Sequence, residues 1–202
     1  MRPFFFFGVI AILLIYQETT RAQISEGELT DTPFFSRDCL AALHRQIVIH
    51  FDSSILYLKF AAYFAQETID LPGFEKFFFH AADEEREKGI QLIEYALLRN
   101  LDPMDTNNFN LNYVYEMPHG LSGENALRVA IDQQNKVTKR LSELIKVCKE
   151  GNSDFYLGNH MGGDYLYMQH VKLRELDDRL NQLRQLMSVS RFGEFLYDKD
   201  HM

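Results

Sequence analysis

The sequence predicts an all-α protein: a four-helix bundle with one long crossover and a short fifth helix at the C-terminus. Three observations carry this reading. Four stretches repeat apolar residues at three- and four-residue steps. No segment alternates apolar and polar residues over more than a few positions. Between the helical stretches lie two short links and one long one.

The first helix is expected from about Ser36 to Gln66, with Ser36 as cap and Asp38 in the first turn, where a carboxylate meets the positive end of the helix. Its stripe is Leu40, Leu43, Ile47, Phe51, Ser54 or Ile55, and Leu58. Leu71-Pro72-Gly73 breaks it, and Pro72 suits the first turn of a second helix that runs to Arg99. The segment from Asn100 to Gly123 holds Asn100, Asn107, Asn108, Asn110, Asn112, Pro103 and Pro118, and reads as irregular. The third helix spans Ser122 to Lys149, with Leu127, Ala130, Ile131, Val137, Leu141, Leu144, Ile145 and Val147 on one side, and stops at Gly151. The fourth spans Ser153 to Leu186, with Leu166, Leu173, Leu176, Leu180 and Leu183. Gly158, Gly162 and Gly163 should weaken or bend its first half. The fifth runs from Ser190 to Lys199. Short links make helices one and two, and three and four, antiparallel hairpins. The long link makes helices two and three parallel.

Residues 1–22 read as a secretory signal: Arg2 at the start, an uncharged run from Phe4 to Tyr16 and small residues at Thr20 and Ala22. The run is short of the roughly 20 residues that span a bilayer. An uncleaved anchor is the alternative. Residues 23–35 then form an N-terminal extension, and 36–202 one domain with a core of its own. No second long apolar run is evident, so the mature chain is expected without stable membrane association. Cleavage removes two arginines (Arg2, Arg21) and one glutamate (Glu18), which makes the formal charge of −8 one unit more negative. Such a balance disfavours nucleic acid and favours cations. No Asn-X-Ser/Thr sequon is present.

Cys39 and Cys148 are the two cysteines. In an oxidising compartment they should be bridged rather than free. Helices one and three run antiparallel, so both cysteines reach the same end of the bundle. A bridge within the chain and a bridge to a partner are both compatible with the spacing.

The second helix carries His-Ala-Ala-Asp-Glu-Glu-Arg-Glu-Lys at 80–88, amid Phe74, Phe77, Phe78, Phe79 and Ile90, Leu92, Ile93. Carboxylates at Asp83, Glu84, Glu85 and Glu87 repel at helical spacing unless cations neutralise them. Glu84 and Glu87 share one side, Glu85 and Lys88 another. The segment can therefore serve a solvent face and a bundle interior at once. A plain solvated charged face is the simpler alternative.

Taken with Arg45-Gln46-Ile47 and Tyr57-Leu58, with Glu175-Leu176 and Leu180, and with the terminal Gly193-Glu194-Phe195-Leu196-Tyr197-Asp198, this segment resembles a secreted, arthropod-type ferritin subunit over about residues 36–200. The resemblance implies a ferritin-like bundle, a 24-mer shell built with other ferritin subunits, and iron as cargo, stored as a ferric oxide-hydroxide core. In heavy-type subunits a di-iron ferroxidase centre, including a Glu-x-x-His pair, lies inside the bundle. At the matching positions this sequence keeps Tyr57, Glu85 and Gln169. It replaces a glutamate with His50, the histidine with Lys88 and another glutamate with Gln134. The resemblance therefore implies a light-type subunit with a degenerate centre. Glu85–Lys88 reads as a structural ion pair. His50 is a possible ligand beside Glu85, though a core histidine is the simpler reading. Asp83, Glu84, Glu87 and His80 stand where such subunits gather ferric iron on the cavity surface, for which hard oxygen ligands suit. An active variant site on His50, Tyr57, Glu84, Glu85 and Gln169, and an iron-independent secreted bundle, are the alternatives. At the threefold pore the matching residues are Asn159-His160-Met161-Gly162, flanked by Asp154 and Asp164, after a one-residue insertion nearby. Phe192 and Leu196 match an apolar fourfold channel.

Overall fold

The computed structural model describes residues 35–102, 111, 117, 120–150 and 154–202. The expected signal segment, nearly all of the N-terminal extension, and most of the long link lie outside them. The described elements are α1 (Arg37–Phe64), α2 (Pro72–Leu98), α3 (Gly123–Glu150), α4 (Phe155–His160), a wide π turn (Met161–Tyr165), α5 (Leu166–Val189) and α6 (Gly193–His201). α1 packs on α2 and α3, and α3 on α5, with α6 against the ends of α5 and α2. The four-helix bundle and short terminal helix are as the sequence predicts. The fourth helix is divided as its glycines suggest: at Gly163 the backbone leaves helical angles (φ −87°, ψ −108°), and the wide turn and the glycine pair explain the kink.

Ser36 caps α1 by accepting a hydrogen bond from the Cys39 amide at 3.2 Å, and Ser122 does the same for Asn125 at 3.2 Å. α6 begins three residues later than the sequence suggests, because Ser190 is extended and the chain turns before Gly193. Its carboxylates then cap two other helices. Asp198 Oδ1 accepts from the Phe74 amide at 2.7 Å at the start of α2, and Glu194 accepts from the Gly123 amide at the start of α3. Both place negative charge at a helix N-terminus. The approach is close enough that a Cβ on Gly73 would sit 2.2 Å from the Asp198 carbonyl oxygen.

Two apolar cores fill the bundle. One, toward α6, centres on Phe60, Phe64, Phe74, Phe78, Leu127, Leu183 and Tyr197. Phe64 stacks on Phe74 with ring centres 5.1 Å apart, and Phe60 meets Phe78 edge-on at 5.1 Å. The other holds Cys39, Leu43, Ile47, Leu92, Leu141, Leu144, Cys148 and Leu157. Cys39 and Cys148 are joined within the chain, with Cα atoms 5.0 Å apart, which decides between the two pairings the spacing left open.

The inward face of α1 is turned slightly from the expected stripe. Leu40, Phe51 and Leu58 are only half-buried, while Gln46, His50 and Ser53 point inward; of the two alternatives at the next step, Ser54 is the inward one and Ile55 is half-buried. The apolar pattern alone misplaces this face because polar side chains take core positions and find partners there. By length and composition α1 could cross a membrane. It departs in this from the expectation of no second long apolar run, yet its apolar side chains supply both cores of the bundle.

Candidate metal centre

Glu85 sits in a polar layer of the bundle and has no exposed surface. The helical spacing that separates Glu84 and Glu87 from Glu85 turns this one carboxylate inward. Its Oε1 receives Lys88 Nζ at 3.1 Å, Gln134 Nε2 at 3.1 Å and Lys172 Nζ at 3.2 Å. Its Oε2 receives His50 Nδ1 at 2.8 Å. Four donors from four helices thus converge on one carboxylate.

The surrounding bonds fix the donors. Gln134 also donates to the Tyr57 hydroxyl at 2.8 Å, and its own carbonyl accepts from Gln169. Tyr57 donates to the Ala130 carbonyl at 3.4 Å. His50 has its second ring nitrogen 3.0 Å from the Gln46 amide nitrogen. His50, Gln134 and Glu85 are fully buried, Tyr57 and Gln169 nearly so.

Electrostatics follow from this packing. Burial raises the Glu85 carboxyl, but the His50 hydrogen bond and charge, then Lys88 and Lys172, outweigh it and hold the group well below its ordinary range. Burial lowers the Lys172 ammonium, yet Glu85 and Glu84 reverse the sign and raise it. Burial first, and the Glu85 charge second, push the Tyr57 hydroxyl well up. Tyr165, whose ring lies edge-on to His50 with centres 6.4 Å apart, is raised by burial and then by Glu85 and Glu87.

The structure thus brings together the six positions the sequence singles out inside the bundle: His50, Tyr57, Glu85, Lys88, Gln134 and Gln169. It adds Gln46 and Lys172, which sequence reasoning passed over. Lys172 follows Gln169 by three residues, so it shares that face of α5, and this spacing was the available signal. Its ammonium also lies 2.5 Å from Glu84 Oε2. The donor set around Glu85 is one carboxylate, two ammoniums, an amide and an imidazole. That set does not fit a pair of iron ions, which need several anionic ligands in reach of both.

The remaining acidic residues stand apart on the outward side of α2. Asp83 is exposed and pairs with Arg86 at 2.7 Å. Glu84 is half-exposed, with His80 Nδ1 at 3.3 Å besides Lys172. Glu87 is exposed and accepts from the Gln91 amide at 3.4 Å. Among the described residues no three His, Cys, Asp or Glu side chains gather as a ready metal-holding group. Asp154 faces inward: it caps α4 through the Leu157 amide at 2.9 Å, accepts from Tyr95 and pairs with Arg99 at 3.4 Å. Phe192 and Leu196 are exposed on and beside α6.

Comparison with known proteins agrees with this architecture. Residues 40–186 match the model of the Ferritin-like domain. The chain is 51% identical to a ferritin heavy chain of Aedes aegypti over 98% of both chains. It is 35% identical to one of Drosophila melanogaster over 80% of each. Its fold superposes on the crystal structure of Trichoplusia ni secreted ferritin with a TM-score of 0.74 and 32% identity, covering 82% of this chain and 88% of that one. A bundle with this helix order, matched over most of its length by sequence and by shape, belongs to the ferritin family.

Proposed function

We propose that this chain is an iron-storage subunit of a secreted 24-mer ferritin shell, which supports growth of the ferric mineral and has little or no ferroxidase activity of its own. The observation that carries the reading is the charge state of the bundle interior. Glu85, the carboxylate of its polar layer among the described residues, is already neutralised by Lys88 and Lys172 at 3.1 and 3.2 Å. Two ferrous ions oxidised to the ferric state would meet two fixed ammoniums in place of anionic ligands. At such distances in a poorly solvated interior, this repulsion is far larger than in water.

The cargo role rests on the outward face of α2. Asp83, Glu84 and Glu87 offer oxygen ligands suited to ferric iron, and His80 stands one turn before them. Glu87 has no ammonium or guanidinium partner among the described residues. The relatives are named heavy chains. The light-type reading of this chain rests instead on its residues at 50, 88, 134 and 172. Oxidation would then be supplied by heavy-type subunits in a mixed shell. The secreted location rests on the signal-like residues 1–22 and on the likeness to a secreted ferritin.

Aerobic oxidation of ferrous iron by the purified homomer tests the proposal. The expected rate is little above that of buffer. A saturable burst of about two irons per subunit, as a di-iron centre would give, overturns it in favour of an active variant site on His50, Tyr57, Glu84, Glu85 and Gln169.

A further inference from the structure

The position of Lys172 goes beyond a ferritin centre that has lost ligands. Its ammonium is 14% exposed and spans two carboxylates, Glu84 Oε2 at 2.5 Å and Glu85 Oε1 at 3.2 Å. Lys88, by contrast, reaches Glu85 alone. Two grooves of about 420 Å³ each lie between α2 and α5, and both are lined by Glu84, Lys172 and Glu175. One also holds Glu87 and Lys88, and the other Lys76 and Arg179, so the grooves are of mixed charge, and Lys172 is the cation set between the two carboxylates.

Two carboxylates that share one nitrogen make the donor arrangement of a small-cation site. Here the cation is covalently tethered and cannot leave. Glu85 is held in place independently of it, by His50 on one oxygen and Gln134 on the other. Loss of the ammonium would therefore leave the carboxylate oriented rather than free to swing away.

We propose that Lys172 is a built-in counter-ion that plugs a latent divalent-cation site between Glu84 and Glu85, and that with Lys88 on the same Glu85 oxygen it keeps metal out of the bundle from the α2–α5 face. The cation class is a hard divalent ion, because the ligands are carboxylate oxygens. The inference rests on the reading that the unaltered centre does not process iron.

The test uses the assembled protein with Mn2+ alone as probe, read by anomalous scattering from soaked crystals and by equilibrium dialysis. The unaltered shell is expected to show no ion between Glu84 and Glu85. Lys172→Met keeps an unbranched side chain one atom shorter and removes the charge. It is expected to place one Mn2+ per subunit there, bound at least tenfold more tightly than any ion at that position in the unaltered shell. Adding Glu84→Gln should abolish it. Lys172→Gln serves if the methionine variant does not assemble. An ion at this position in the unaltered protein, or an assembled variant without one, overturns the inference. The outcomes separate the two proposals. A ferrous-oxidation burst in the unaltered shell defeats the storage reading. An empty Lys172→Met shell, with no burst in the unaltered protein, defeats only the plug.

Discussion

Lys172 Nζ meets Glu85 Oε1 at 3.2 Å across 87 residues of sequence. It shares that oxygen with Lys88, three residues from Glu85 on its own helix. A long-range contact and a local one are thus fused in a single buried ion cluster.

The cluster should be costly to break and cheap to replace. Glu85→Leu leaves two ammoniums facing an apolar side chain, and we expect a loss of about 3–5 kcal/mol, read from the denaturation midpoint. Joint replacement of Glu85, Lys88 and Lys172 by apolar residues of similar volume should recover most of it. The pH dependence has a definite sign. The folded-state pKa of Glu85 is depressed, so its contribution is present above the ordinary value of 4.5 and fades as pH falls through the lower folded value. The gap between wild type and Glu85→Leu should narrow in acid. A gap that widened below pH 4.5 would contradict the assignment.

Replacing Asp83, Glu84 and Glu87 together with alanine should slow mineral growth in a mixed shell while leaving assembly intact. The readout is core formation followed by absorbance after a fixed ferrous load. Glu87→Ala alone should produce much of the effect, since Glu84 and Asp83 are engaged by Lys172 and Arg86. An unchanged rate would leave the three as a solvated surface only.

Non-reducing electrophoresis of the denatured protein should show a single-chain band whose mobility shifts on reduction. Cys39→Ser with Cys148→Ser removes a link that closes 109 residues of sequence. On the chain-entropy account it should cost about 4–5 kcal/mol, less any strain the link carries. A ladder of linked dimers would contradict the intrachain link.

Glu194→Ala and Asp198→Ala each delete a carboxylate that caps another helix. Each is expected to cost about 0.5–2 kcal/mol, with faster amide exchange in the first turn of α3 and of α2 respectively. Loss of protection in the opposite helix would break the assignment.

The bundle was legible because its helices are long and their breakers unambiguous: Pro72 starts α2 where expected, and Gly162 and Gly163 mark the kink. The inward face of α1 was less so. Gln46, His50 and Ser53 look like surface residues in a hydrophobicity pattern, and hydrogen bonds let the core hold them: Gln46 with His50, His50 with Glu85, and Ser53 with Gln133. Within the site, the i to i+3 pairing of Glu85 and Lys88 could be read from spacing alone. Spacing puts Lys172 on the face of Gln169, but its meeting with Glu85 also depends on how α5 is rotated about its own axis. The capping roles of Glu194 and Asp198 were hidden for the same kind of reason: they join residues 71 and 124 positions apart.

α5 is entered through the wide turn at Met161–Tyr165, whose backbone leaves helical angles at Gly163, so the length of this turn bears on that rotation. A π turn takes up one residue more than an α turn, and each residue advances an α-helix by about 100°. Suppose one residue were deleted there and α4 stayed in place. The face of α5 toward α2 and α3 would then be read one position later in the sequence. His170 would stand where Gln169 does, and Leu173 where Lys172 does. A leucine would face Glu85. The length of the turn acts as an angular setting, and it bears on whether a charge or a hydrocarbon arrives at the centre of the bundle.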